Sequence, residues 1–191
     1  MKNVESIKNE IKVLYANSSN ECMRTWFYEG HVIVVAKYAE EISKKVGANT
    51  EIAILGALFH DIARAWGVEK DPNLMQESIR KTEEIMKKND YTNEDIKKVK
   101  ETLINHSCRR TLPKTKEGKV VATADALAHL MTDFYVLLGF NRWKNAKDYE
   151  EYQKWALEKI ERDFKKKIFF KQYKFIAKKR YEALKNVFGG F

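Results

Sequence analysis

Three histidines occupy positions where the sequence pattern leads one to expect apolar side chains. His31 lies on the apolar stripe of "HVIVVAKYAEEI", and His106 continues the stripe of "IKKVKETLINH". His60 ends the apolar run "EIAILGALFHDI" and forms an adjacent pair with Asp61. Removing several imidazoles and a carboxylate from water is costly unless they share a partner. A divalent cation suits such mixed ligands, although one histidine on an apolar face is more often a hydrogen-bonded core residue.

A second carboxylate, Asp125, lies within the small and apolar pattern "VVATADALAHLM". Its neighbours predict that it is buried, either as a metal ligand or as a hydrogen-bonded aspartate of the core. Asp125, His129 and Asp133 recur every fourth residue, so they share one face of the predicted helix. We predict that His129 either orients Asp125 through a hydrogen bond or lies on the protein surface.

Helix geometry restricts where a shared ion could lie. His60 and Asp61 are adjacent, so their side chains diverge by about 100° around a helix axis. Both can reach one ion only if the helix ends close to it. His31 directly follows Gly30, so we also expect His31 at a helix terminus.

Helical periodicity extends over almost the whole chain and predicts an all-α fold. The run Ile52 to Phe59 is apolar on every side, as expected of a helix at the centre of a bundle. Its β-branched residues would also suit a buried strand, but the neighbouring sequence offers no second strand with which it could pair. Asn49 or Thr50 is the expected N-cap of this helix. Thr92 and Asp95 resemble a capping box. Further helices are predicted from Asp71-Pro72 to about Lys88, from about Lys119 to Leu138, and as a pair within 148–188, with a break at 139–145.

Composition favours a single globular domain. The 191 residues suffice for one well-buried core. No apolar run reaches the roughly 18 residues that span a membrane, and the N-terminus lacks the continuous apolar stretch of a signal peptide. Cys22 and Cys108 form no metal or redox motif and are expected to be free thiols. These features predict a cytoplasmic protein with no membrane partner; they leave its oligomeric state open.

Taken together, the ordered set His31, His60-Asp61 and Asp125 on a helical chain resembles the HD superfamily of metal-dependent phosphohydrolases. The segments "EGHVIVVAKYAEEI", "ILGALFHDIAR", "LINHS" and "TADAL" are similar to the helices of that family. The resemblance covers roughly residues 20–140 and implies an HD-domain helical bundle within a single domain, 1–191. Residues 146–188 would then form a basic C-terminal helical extension.

The resemblance also implies a cofactor and a reaction. One divalent metal ion (Mn, Fe, Co, Ni or Mg) would be held by His31, His60, Asp61 and Asp125. Water activated by the ion would attack phosphorus, with Asp61 as a catalytic residue. Relatives that bind two ions use additional histidines, and this chain offers only His106 in the corresponding region. We therefore expect one ion, with His106 contacting substrate phosphate, acting as an acid toward the leaving group, or serving as a plain core residue.

The expected substrate is a small phosphorylated molecule, possibly a nucleotide. Nucleotidases of the family have an acidic residue shortly after the HD pair, where this chain has "IARA", so the resemblance does not identify the substrate. Arg64 lies one turn after His60 and is expected to contact phosphate. Arg109 and Lys114, in the loop after His106, are further candidates, because guanidinium and ammonium groups bind phosphate. A solvated basic loop would explain Arg109 and Lys114 equally well.

The net charge of +9 is concentrated near the C-terminus, where residues 154–185 contain twelve Lys or Arg and four Asp or Glu. Aromatic residues interleave with these lysines, a combination that can indicate nucleic-acid binding. The helical spacing of Phe169, Tyr173, Ile176 and Leu184 instead favours an apolar face docked on the domain, with lysines solvated outside. The alternative hypothesis is a non-catalytic HD scaffold that senses nucleotides or binds nucleic acid, for instance through Lys165, Lys166 and Lys167.

Overall fold

The computed structural model describes residues 3–68, 73–140 and 146–189. Its α-helices are α1 (Val4–Ala16), α2 (Ile33–Val46), α3 (Thr50–Phe59), α4 (Asn73–Lys88), α5 (Asn93–Leu103), α6 (Lys116–Met131), α7 (Phe134–Phe140), α8 (Ala146–Arg162) and α9 (Lys171–Gly189). Two π-helical segments cover Met23–Val32 and Asp163–Lys167, and a 3₁₀ segment covers Ile62–Trp66. No described residue lies in a β-strand. The predicted all-α class is therefore confirmed.

Helix α3 lies at the centre of the bundle and contacts both α2 and α6. Every residue from Ile52 to Phe59 is buried, as the continuous apolar run predicted. Helix α5 also approaches α3 closely, because Gly56 has no side chain: a Cβ atom there would lie 2.2 Å from Thr102 Oγ1. This packing fixes the end of α3, where His60 and Asp61 follow.

Local capping residues set several of the helix boundaries. The Asn49 side chain accepts a hydrogen bond from the backbone N–H of Ile52, and so caps α3. The Thr92 hydroxyl accepts from the backbone N–H of Asp95 and caps α5 in the same way. Both predicted caps are confirmed. Each satisfies a backbone donor that has no partner within its own helix.

Two predicted helix ends are wrong. His31 does not begin a helix, because the π-helical segment Met23–Val32 continues directly into α2. The long helix predicted to reach Leu138 instead ends at Met131, and α7 continues from Phe134 at an angle of 70°. The Thr132 hydroxyl stabilises this bend, since it donates to the Ala128 carbonyl and accepts from the Phe134 N–H.

Other predicted boundaries fall partly outside the described residues. Asp71-Pro72 lies there, and α4 is described from Asn73. The predicted break begins too early, since α7 extends to Phe140, while residues 141–145 lie outside the described part.

The C-terminal helices pack against α6 through α9 and the segment Asp163–Lys167. Tyr173 is buried as predicted, and Phe169 and Leu184 are half-buried. Ile176 is 53% exposed, so the prediction that it docks on the domain is wrong. Lys165 and Lys166 are exposed, but Lys167 is only 2% exposed. The lysines of this segment therefore do not all form a solvated outer face.

Among the described helices, none is by itself both long and apolar enough to cross a membrane. Helices α6 and α7 reach that length and composition only as a pair, with the bend between them.

Candidate metal centre

Two imidazole rings meet at the middle of the bundle. His31 projects from the segment Met23–Val32 and is fully buried, and His60 follows α3 and is 1% exposed. Their Nε2 atoms lie 3.1 Å apart. His60 Nδ1 donates a hydrogen bond to the Ala57 carbonyl at 2.6 Å, which leaves Nε2 as the ring nitrogen directed at His31.

Both predicted carboxylates lie beside these rings. Asp125 projects from α6, and its Oδ1 atom lies 3.5 Å from His31 Nε2 and 3.7 Å from His60 Nε2. Asp61 Oδ2 lies 3.9 Å from His60 Nε2. The structure thus brings together the four residues that the H…HD…D pattern proposed as ligands.

Burial and neighbouring charges set the protonation states of these groups. Burial, together with His129 nearby, holds the pKa of His31 well below its ordinary value, so the ring is neutral. Burial alone would raise the pKa of Asp125, but His129 and Lys167 beside it bring this pKa well below the usual range. A neutral imidazole and an ionised carboxylate are the forms that bind metal ions.

His129 is buried, so the prediction that it could lie on the surface is wrong. It is 4% exposed, and its ring stacks on His31 with 4.8 Å between ring centroids and 5° between ring planes. Its Nε2 atom lies 3.1 Å from Asp125 Oδ1. On the other side of the ring, Nδ1 lies 2.9 Å from Asp163 Oδ2 and 3.0 Å from Lys159 Nζ.

Three residues of the centre come from the C-terminal segment and were not predicted as site residues. The Lys167 ammonium contacts Asp125 Oδ2 and lies 3.7 Å from Asp163 Oδ1. Lys159 Nζ lies 3.1 Å from Asp163 Oδ2. Lys159, Asp163 and Lys167 recur every fourth residue, and this spacing was the available signal that one face of a basic segment points inward.

Each carboxylate of the centre is paired with a cation. Arg64 Nε donates to Asp61 Oδ2 at 2.7 Å, so the structure directs Arg64 toward a proposed metal ligand. Its predicted contact with substrate phosphate stays a prediction. The Arg64 guanidinium is also among the groups that lower the pKa of Asp61 against the opposing effect of burial.

A cavity of about 970 Å³ opens onto the centre and is lined by His60, Asp61, Asp125 and His129. His106 also lines this cavity, and its Nδ1 atom donates a hydrogen bond to the Leu103 carbonyl at 2.7 Å. Burial, together with nearby His60, lowers the pKa of His106 to about 4. Further lining residues are the basic Arg64, Arg109, Lys159, Arg162 and Lys167, the acidic Glu21, Asp148 and Glu151, and the aromatic Phe27, Phe134, Tyr152 and Trp155.

The two predicted phosphate contacts of the basic loop differ in position. Arg109 is exposed and lines the cavity. Lys114 is exposed and is not among the described residues that line it. The loop is therefore close to the cavity only near its beginning.

Comparisons with known proteins identify the family. The family model for the HD domain matches residues 28–130, more than half of the chain. The chain therefore belongs to the HD domain family, and the predicted resemblance is confirmed. No curated protein matches the chain by sequence.

Among solved structures, the fold is similar to the crystal structure of a predicted HD superfamily hydrolase from an uncultured Thermotogales bacterium. The two proteins are 16% identical, with a TM-score of 0.61, and the similarity covers 95% of this chain and 87% of that chain. At this identity the likeness concerns the fold alone. It extends past the family match, and therefore includes most of the C-terminal helices that carry Lys159, Asp163 and Lys167.

Proposed function

We propose that this chain is a metal-dependent phosphohydrolase that acts on a small phosphorylated molecule. The observation that carries the proposal is the convergence of His31, His60, Asp61 and Asp125 beside a cavity whose wall includes Arg109 and Arg162. Membership in the HD family supports the same conclusion, because the converging residues carry the H…HD…D pattern.

The residues present fit a divalent ion. The buried Asp125 Oδ1 atom makes no hydrogen bond, and it faces the Nε2 atoms of His31 and His60. Ligand atoms of His31, His60 and Asp61 lie within 4.8 Å of one another, and so do those of His31, Asp125 and His129. A buried polar atom without a partner is costly, and a cation shared by Asp125 Oδ1 and the two Nε2 atoms would compensate this cost. When bound, the ion would polarise phosphorus–oxygen bonds and lower the pKa of coordinated water.

Side chains of the cavity wall would bind and orient the substrate. Arg109 and Arg162 line the cavity, and Arg162 Nε is buried without a hydrogen-bond partner. Guanidinium groups bind phosphate oxygens in a planar and bidentate way, so these two arginines are the candidates for an anionic group. The volume of about 970 Å³ lies within the range of small-molecule sites.

His106 would accept a proton or a hydrogen bond rather than donate one. Its Nδ1–H is used by the Leu103 carbonyl, so the Nε2 atom of the neutral ring carries a lone pair. The lowered pKa of His106 keeps the ring neutral near pH 7. We accordingly propose a role as base or hydrogen-bond acceptor in place of the acid role expected from the sequence.

Metal analysis and a substrate screen test the proposal. Purified protein would be examined for bound metal, and then assayed on phosphomonoesters, phosphodiesters and pyrophosphates with added Mn²⁺, Co²⁺, Ni²⁺ or Mg²⁺. We expect hydrolysis that EDTA abolishes and that Asp61→Asn lowers by at least about 100-fold. Asp133→Asn is the matched control: Asp133 is exposed and does not line the cavity, because α6 ends at Met131 and Asp133 does not share the face of Asp125 and His129 as predicted. No hydrolysis with any metal, or full activity in Asp61→Asn, would overturn it.

A further inference from the structure

His129 is held on both sides by carboxylates. Asp125 Oδ1 lies 3.1 Å from its Nε2 atom, and Asp163 Oδ2 lies 2.9 Å from its Nδ1 atom. His129 and Asp125 are both 4% exposed, and Asp163 is fully buried. The ring of His129 is therefore fixed in orientation, with one nitrogen directed into the cluster of His31 and Asp125.

The two ring nitrogens of His129 have different surroundings. Nδ1 lies 2.9 Å from Asp163 Oδ2 and 3.0 Å from Lys159 Nζ, so it has both an acceptor and a donor beside it. Nε2 lies 3.1 Å from Asp125 Oδ1, and no hydrogen bond joins these two atoms. A metal ion bound at Nε2 requires the ring proton on Nδ1, where Asp163 Oδ2 lies close enough to accept it. The same ion would provide Asp125 Oδ1 with a partner.

Asp163 is itself firmly held. The Tyr135 hydroxyl donates to its Oδ2 atom at 2.8 Å, and Lys159 Nζ lies 3.1 Å from the same atom. A carboxylate that receives the distal N–H of a histidine and is fixed by further hydrogen bonds is the usual support of a metal-binding imidazole.

We propose that His129 is a fifth metal-binding side chain, and that Asp163 of the C-terminal segment is the residue that positions it. This inference rests on the metal site of the proposed function and extends it beyond the H…HD…D residues. The C-terminal segment then completes the metal centre, although it lies outside the matched family region, 28–130.

Titration with Co²⁺ alone tests the inference without any substrate. Affinity would be measured by calorimetry, and the ligand field by the visible absorption of bound Co²⁺, for the full chain and for Asp163→Asn, His129→Gln and the exposed control Asp133→Asn. We expect Asp163→Asn to weaken Co²⁺ binding about 10- to 100-fold. His129→Gln should weaken it at least as much and change the absorption spectrum. Circular dichroism would confirm that the helices are retained.

A merely structural role for Asp163 and His129 predicts a different result. The variants would then melt earlier, yet bind Co²⁺ with wild-type affinity and spectrum, which would overturn the inference. If either variant fails to fold, Tyr135→Phe serves in its place, because it removes one hydrogen bond to Asp163 Oδ2. We expect this variant to bind Co²⁺ more weakly than the wild type, and unchanged Co²⁺ affinity would count against the inference. Absence of hydrolysis in the substrate screen would refute the proposed reaction but leave this metal-binding result standing, whereas a wild-type chain that binds no Co²⁺ would refute the inference itself.

Discussion

Replacing Lys167 by methionine removes a buried cation while keeping an unbranched side chain of similar length. Lys167 is 2% exposed, contacts Asp125 Oδ2 and lies 3.7 Å from Asp163 Oδ1. Removing one partner of a buried ion pair costs about 3–5 kcal/mol, because the remaining charge loses its compensation. In a chain of this size, each kcal/mol lowers the Tm by about 2–4 °C. We therefore expect the metal-free Lys167→Met variant to melt about 6–20 °C below the wild type.

Metal should recover part of this loss. A divalent cation held by Asp125 supplies the positive charge that Lys167 provides in the metal-free protein, so Co²⁺ should raise the Tm of Lys167→Met by more than it raises that of the wild type. Thermal unfolding by circular dichroism, in EDTA and in saturating Co²⁺, measures both effects. The control is Lys166→Met, an exposed neighbour expected to stay within about 2 °C of the wild type. A Lys167→Met variant that melts with this control, or gains no more from Co²⁺ than the wild type, would refute the reasoning.

Three further predictions concern other residues of the site and its surroundings. The pKa of His106 is about 4 in the folded protein and 6.5 in the unfolded chain, so the unfolded chain binds more protons between these values and stability falls as pH drops through them. In EDTA, the free energy of unfolding measured with urea should fall by about 3 kcal/mol between pH 6.5 and pH 4. The His106→Gln variant should lack this part of the pH dependence. Asp125→Asn should weaken Co²⁺ binding by at least about 100-fold in calorimetry, beyond the loss usual for supporting residues; wild-type affinity would remove Asp125 from the ligand set. Reversing the exposed Lys165 and Lys166 to Glu should leave hydrolysis within about twofold, and the wild type should show no salt-dependent binding to single-stranded RNA. A steep salt slope that the double reversal abolishes would instead support the nucleic-acid hypothesis.

The helices and the four H…HD…D residues could be predicted because their signals are local. Asn49 and Thr92 cap helices through backbone groups only three residues away, so the sequence alone contains both partners. His31, His60 and Asp125 could be singled out because polar side chains interrupt apolar patterns there. In each case the sequence signal lies within one or two helical turns, although the contacts among His31, His60 and Asp125 join distant parts of the chain.

The wrong predictions involve features that local patterns do not determine. Gly30 predicts a helix start at His31, but helical conformation continues through Gly30 from Met23 as a π-helical segment. His129 could not be assigned to the core or the surface, because its burial depends on Asp163 and Phe134, which α6 meets only in the folded chain. Periodicity shows which residues share a face, but not which element will cover that face.

Lys167 shows the same limit most clearly. Lysine is among the residues least often buried, so a run of three lysines predicts a solvated surface. The residue that makes its burial possible is Asp125, 42 positions earlier in the chain. No local pattern links the two, and only the packing of the segment Asp163–Lys167 against α6 brings them into contact.

The cations of the centre give this burial a chemical reason within the proposed function. Asp61 pairs with Arg64, Asp125 with Lys167, and Asp163 with Lys159, so these six groups carry no net charge before a metal binds. A divalent ion would then add two positive charges, which a phosphate dianion would balance. Without the lysines of the C-terminal segment, the ion would mainly neutralise buried carboxylates, and little positive charge would remain to attract substrate. The basic segment is therefore best understood as part of the site's electrostatic balance, with the exposed lysines around it as a solvated remainder.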